Sequence, residues 1–192
     1  MVALTQESTR MTEAEYLAFE RASETKHEYI DGHVYAMTGG SPAHNLITMY
    51  TAVSLANQLQ GQPCAVYPSD MKIKANRDYV YADVSVVCGD PQYQDKDILL
   101  NPIVVVEVLS PTTEQYDRGR KFQQYRQLES LQEYLLIEQD KPRIEHYLRQ
   151  ADNTWLLADA VGLDASLELP SIGCTLKLAD VYQKVTFEQN PQ

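Results

Sequence analysis

The chain has 192 residues, 27 acidic and 16 basic, for a formal net charge of −11. At 44% hydrophobic and 22% charged it is a folded globule with a core of its own, which excludes a disordered chain. The acidity argues against a strongly basic nucleic-acid binder only as an average: residues 1–71 carry −5, residues 72–126 are neutral, and residues 127–192 carry −6.

Residues 1–10 read as a flexible arm, 11–186 as a single domain and 187–192 as a tail. Thr12 with Glu15 three residues on is a capping box, and Tyr16, Leu17 and Phe19 give the helix behind it an apolar face. Asp31-Gly32 between alternating apolar stretches marks a hairpin over residues 26–37. A loop through Gly39, Gly40 and Pro42 leads to a helix over 43–59, where Leu46, Met49, Tyr50, Val53, Ala56 and Leu59 recur at helical spacing. Short strands are expected at 65–67 and 71–74. One continuous strand is expected at 79–87, with Val80, Ala82, Val84 and Val86 on one face. Residues 103–109 are apolar except for Glu107, as in a strand covered on both faces. A helix over 117–128, a strand at 134–138, a hairpin of 143–148 with 154–158 and a short helix at 176–182 complete a mixed α/β chain.

Cys64, Cys88 and Cys174 are widely spaced and odd in number, so free, buried thiols in a reducing compartment are expected, and no spacing fits zinc. No apolar run reaches the roughly 20 residues of a membrane span, and no basic-then-apolar leader is visible. A cytoplasmic location without a membrane partner is the expectation. The 13 tyrosines, against 3 phenylalanines, point to a cleft or a subunit interface, because tyrosine keeps one wet end.

Glu107 carries the most information. An unpaired carboxylate inside a sheet costs several kcal/mol, so it must acquire a partner cation, change its pKa or reach water at the strand's end. The residue is therefore either a salt-bridged or strand-end carboxylate, or a metal ligand or catalytic acid. Asp83 interrupts a strand in the same way; alone it reads equally as a solvated residue or a ligand. Beside Glu107, the two would repel unless a cation sat between them, and Mg²⁺ binds through one or two carboxylates. Lys121 shares a helical face with Asp117 and Tyr125, and reads either as solvated or as a cation near the site. Glu28 before the hairpin turn and His44 opening the long helix are surface or auxiliary residues. His27 and His33 are expected to face solvent, and His146 has no assigned role.

Glu28-Tyr29-Ile30-Asp31-Gly32, Ser41-Pro42-Ala43-His44, Tyr81-Ala82-Asp83-Val84-Ser85-Val86-Val87, Val105-Val106-Glu107-Val108-Leu109-Ser110-Pro111, the Asp117, Lys121, Tyr125 helix and Glu133-Tyr134-Leu135-Leu136-Ile137 occur in this order. Together they resemble the Uma family, a domain-of-unknown-function group of the restriction-endonuclease-like PD-(D/E)XK superfamily, over roughly residues 11–186. The resemblance implies a restriction-endonuclease-like mixed β-sheet core flanked by helices, with an N-terminal helix-hairpin extension. It assigns Asp83 and Glu107 as the two acids, Lys121 as the helix-borne lysine, Glu28 as a supplementary acid and the Val108 carbonyl as a further ligand. Alanine precedes Asp83 where the motif has proline, and Leu109 stands where it has lysine, so catalysis depends on Lys121.

The reading is a Mg²⁺- or Mn²⁺-dependent endonuclease acting on DNA, with weak, metal-dependent binding. Lys72, Lys74, Arg77, Arg118, Arg120 and Arg126 are its candidate phosphate contacts, and a homodimer is expected. The alternative is a nuclease-like fold serving as a binding or assembly module. A carboxylate-pair glycosidase is weaker, because Trp155 is the single tryptophan available for sugar stacking.

Overall fold

The computed structural model describes residues 5–37 and 39–187. Its strands are β1 (Thr5–Arg10), β2 (His27–Ile30), β3 (His33–Ala36), β4 (Cys64–Pro68), β5 (Lys72–Ala75), β6 (Asp78–Tyr81), β7 (Val84–Cys88), β8 (Tyr93–Gln94), β9 (Ile98–Leu99), β10 (Val104–Val108), β11 (Glu133–Ile137), β12 (Arg143–Arg149), β13 (Trp155–Val161), β14 (Ser166–Leu169) and β15 (Cys174–Lys177). The helices are α1 (Glu13–Ala22), α2 (Pro42–Gln58), α3 (residues 114–125) and α4 (Leu178–Val181). A seven-stranded sheet runs β1-β3-β2-β6-β5-β9-β8, a six-stranded sheet runs β13-β12-β11-β10-β7-β4, and β14 pairs with β15. The mixed α/β architecture agrees with the sequence reading.

Local chemistry explains the element ends. The Thr12 side chain accepts from Glu15 N while the Glu15 carboxylate accepts from Thr12 N, so the expected capping box starts α1. Asp31 and Gly32 have φ of 52° and 84°, the two positive values a tight hairpin turn needs. Ser41 caps α2 by accepting from His44 N at 3.0 Å, which fixes the backbone at His44.

β10 lies between antiparallel β7 and parallel β11. Val104, Val106 and Val108 pack with Ile47 and Leu55 of α2 and with Leu59 at its C-cap, while Val105 packs on the other face with Tyr125, Tyr134 and Leu136. Both faces are covered, which is why the segment is apolar except for Glu107.

Several expectations are corrected. Residues 5–10 are not a loose arm but strand β1, paired with β3; residues 1–4 and 188–192 of the expected arm and tail lie outside the described residues. The single strand at 79–87 is two strands, β6 in one sheet and β7 in the other, broken at Ala82–Asp83. Alternation ran through the break because both halves are buried, and periodicity does not register a change of partner. The helix begins at Glu114 rather than Asp117, and Asp117–Lys121 is a π-helical turn within it. Cys64 and Cys88 are not free: they face each other across β4 and β7 and are disulfide-bonded, leaving Cys174 as the free, buried thiol. The thiol argument for a reducing compartment falls with that bond. His27 does not face solvent; it is buried, with Nδ1 3.0 Å from Glu20 Oε2. His146 is buried too, with Nε2 2.5 Å from Glu133 Oε2. Among the described residues, no helix is long and apolar enough to cross a membrane.

Candidate active site

The ladder between β7 and β10 ends at Val84↔Val106. There the chain enters the six-stranded sheet from the seven-stranded one. The Asp83 carboxylate takes over from the ladder, accepting from Val108 N at 2.7 Å. This bend places a carboxylate at the seam between the sheets, beside Glu107 on the next strand. From the first turn of α2, His44 Nε2 comes within 3.2 Å of Asp83 Oδ2.

Glu107 is 3% exposed and meets Lys121, whose Nζ lies 2.9 Å from Glu107 Oε1. The same ammonium is 3.2 Å from Glu28 Oε1 on β2, donates to the Tyr81 carbonyl at 2.9 Å, and is 3.9 Å from Asp117 Oδ1. Lys121 thus hydrogen-bonds the Tyr81 carbonyl and ion-pairs with Glu107 and Glu28 at once. Tyr125 donates its hydroxyl to Glu107 Oε1 at 3.1 Å. Glu28 Oε1 also accepts from Tyr81 N at 3.0 Å, whereas Glu28 Oε2 is buried without a hydrogen-bond partner.

These groups border a cleft of about 400 Å³, lined by Glu28, His44, Asp83, Glu107, Asp117 and Lys121 among others. Around Lys121 and His44 the cleft gathers Glu28, Asp83, Glu107 and Asp117, with electrostatic consequences. Burial pushes the Glu107 carboxyl well above the usual range, Asp117 and Asp83 push the same way, and Lys121 opposes them. Burial raises Asp117 from 3.8 to about 6, against the pull of Lys121. Burial also pushes Asp83 up, but His44, the Val108 N–H and Lys121 outweigh it and hold the carboxyl below its ordinary value. Burial disfavours the Lys121 cation, yet Glu107, Glu28 and Asp117 more than offset this and raise its pKa well above normal. The site therefore holds Asp83 ionised, Glu107 and Asp117 reluctant to ionise, and Lys121 charged.

The four candidate catalytic residues and His44 thus meet at one cleft, and Val108 lines it too. The six candidate phosphate contacts do not line it. Lys72 is buried over the Tyr16 and Tyr81 rings, 3.6 Å from Asp97. Lys74 pairs with Glu13 at 3.0 Å. Arg118 binds Glu114, Glu138 and Glu145. Arg120 approaches Asp31 at 3.6 Å, and Arg77 and Arg126 are exposed. Sequence reasoning noted Asp117 only as a neighbour of Lys121, although their i,i+4 spacing already put this acid on the lysine's face. Nothing in the sequence could reveal the Tyr81 carbonyl as a lysine anchor.

Among the described residues, no three His, Cys, Asp or Glu side chains are gathered into a ready metal cage. The donor set instead fits a hard cation held openly, since Mg²⁺ takes one or two carboxylates and completes its shell with water and phosphate oxygens. The unpartnered Glu28 oxygen and the resisted ionisation of Glu107 are what added positive charge would relieve.

The family model described as “Putative restriction endonuclease”, Uma2, matches residues 13–179. The chain belongs to the Uma2 family. It is 38% identical over 180 residues to the uncharacterized protein slr1290 of Synechocystis sp., covering 93% of this chain and 94% of that one. A second uncharacterized Synechocystis protein, sll1609, is 35% identical over 162 residues, or 82% and 92% of the two chains. The fold matches the crystal structure of a “putative nuclease belonging to DUF820” from Anabaena variabilis, with a TM-score of 0.76 and 16% identity over 92% of this chain and 99% of that one. This Uma2-family chain therefore has a nuclease-like fold.

Proposed function

We propose that this Uma2-family chain is a Mg²⁺- or Mn²⁺-dependent endonuclease that hydrolyses DNA phosphodiester bonds in the cleft. The observation that carries the reading is the meeting of Asp83, Glu107 and Glu28 with Lys121 where the two sheets part. Asp83 and Glu107, with the Val108 carbonyl, would hold the metal. When bound, such an ion polarises a phosphate and acidifies a water. The chain's own groups do the rest. His44 and the Val108 N–H keep Asp83 ionised and aimed. Lys121 ties α3 to β2, β6 and β10, and would supply positive charge to a phosphate bound in the cleft. Glu28 Oε2 is a free acceptor for a proton from attacking water.

Purified protein incubated with plasmid and Mg²⁺ or Mn²⁺ is expected to nick it. Asp83→Asn and Glu107→Gln should each lower the rate by about 10²-fold or more. No cleavage with either ion, or undiminished cleavage by Asp83→Asn, refutes the proposal. The full engagement of Lys121 favours a second reading, a nuclease-like module that binds without cutting. Calorimetry showing no uptake of either ion at millimolar concentration selects that module.

A homodimer belongs to the same proposal. β13 is an edge strand that exposes Leu156, Leu157 and Val161, and unprotected apolar edges invite pairing. A monomer mass in light scattering removes it.

A further inference from the structure

A second cavity, of about 690 Å³, is lined by the β2–β3 turn, the β5–β6 turn and α3. Arg10 from the end of β1, Arg77 from the β5–β6 turn and Arg120 from α3 all line it. These three cations come from distant parts of the sequence, and the fold alone brings them together. They are also less committed than most other arginines of the chain. Arg21, Arg118 and Arg143 form close ion pairs, and Arg149 is tied to four carbonyls. Arg120, in contrast, has one long pair of 3.6 Å to Asp31. Among the described residues, Arg10 and Arg77 have no ion pair within 4.0 Å.

Arg10 is seated rather than merely exposed. Its side chain crosses the hairpin turn at Gly32, where an added Cβ would come within 3.0 Å of its Nε and 3.2 Å of its Cγ. Of the three acids that line the cavity, Glu13 is occupied by Lys74 and Tyr79, Asp31 lies 3.6 Å from Arg120, and Asp78 is buried and accepts from Asp31 N at 2.8 Å. Arg10 and Arg77 are thus left without an ion-pair partner among the acids of the cavity, and convergent guanidiniums suit phosphate by charge and by forked hydrogen bonding.

Its position relates it to the cleft. Arg120 adjoins Lys121 on α3. On β2 and its turn, Glu28 belongs to the cleft and Asp31 to the cavity. Glu28 and Asp31 are three residues apart, a span of about 10 Å in extended chain. A strand whose phosphate sits in the cleft would thus present a nearby phosphate to the cavity.

We propose that Arg10, Arg77 and Arg120 form a phosphate-binding site for the nucleic-acid backbone flanking the scissile bond. This rests on the endonuclease reading of the cleft. It also supplies the positive surface that the cleft lacks and that the net charge of −11 hides.

The test is fluorescence anisotropy with a labelled DNA duplex and Ca²⁺ across a salt series. It compares the full chain with the triple variant Arg10→Gln/Arg77→Gln/Arg120→Gln and with Lys184→Gln, an exposed lysine outside the cavity. The triple variant should bind at least 10-fold more weakly, with its log K against log salt slope reduced by about 1–3, since each phosphate contact contributes about 0.9. Lys184→Gln should change affinity less than about 2-fold. Unchanged affinity and slope in a folded triple variant overturn the site, as does an equal loss in Lys184→Gln. Plasmid cleavage measured on the same proteins separates the two claims. A wild type that cuts while the triple variant binds normally sinks the arginine site alone, whereas a wild type that neither cuts nor binds sinks both.

Discussion

Asp117→Asn should stabilise this protein at neutral pH and leave it unchanged in acid. The Asp117 carboxyl is 3% exposed, and its pKa rises from 3.8 to about 6 on folding, with burial opposed by Lys121 3.9 Å away. That rise corresponds to roughly 3 kcal/mol against the ionised form in the folded state. The sign follows from linkage: the folded state binds this proton more tightly than the unfolded state, so stability falls as pH rises from 3.8 through about 6. Above that window the unfavourable charge is fully present, and below it both states are protonated. Asparagine keeps the shape and the oxygen that accepts from Thr113 but cannot ionise. Thermal unfolding should therefore place the variant roughly 6–12 °C above wild type near pH 8, taking 2–4 °C per kcal/mol for a domain of this size. Near pH 3.5 the two midpoints should coincide within about 1–2 °C. A variant that is destabilised near pH 8, or shifted equally at both pH values, would mean that the Lys121 pair outweighs desolvation, and the charge arrangement drawn for the cleft would be wrong.

Two further outcomes follow from contacts away from the cleft. Arg149 donates to the carbonyls of Arg126, Leu128, Glu129 and Leu131 at the end of α3; Arg149→Met should cost about 1–3 kcal/mol in denaturant unfolding, and a loss under about 0.5 kcal/mol would show that water replaces the guanidinium. The Cys64–Cys88 bond closes a sequence separation of 24, so the double Cys→Ser variant should lose about 3 kcal/mol, with no additional loss on adding reductant; free thiols at both positions in wild type by mass spectrometry would refute the bond.

Much of the site was legible in the sequence, because burial makes polar residues conspicuous. Glu107 stood out inside an apolar run and Asp83 inside an alternating one, and both lie at the cleft. The capping box at Thr12 and the Asp31-Gly32 turn also formed as local chemistry dictates, since their partners lie within a few residues. The arginines were not legible in this way. Arg77 and Arg120 share a cavity with Arg10, which sequence reading passed over, while Arg118 is consumed by three carboxylates. Local sequence shows which side chains carry charge but not which charges neutralise one another.

The sequence by itself determined the capped start of α1, the Asp31-Gly32 hairpin, the covered central strand and the two carboxylates that interrupt apolar strands, because capping, turn chemistry and hydrophobic period are properties of neighbours in the chain. Tertiary structure decided that residues 78–88 divide between two sheets and that Asp83 takes over the ladder where they part. It also decided that one lysine is shared by Glu28, Glu107 and the Tyr81 carbonyl. Those relations join residues up to 93 positions apart, from Glu28 to Lys121, and pairing at that range depends on strand order, to which local periodicity is blind.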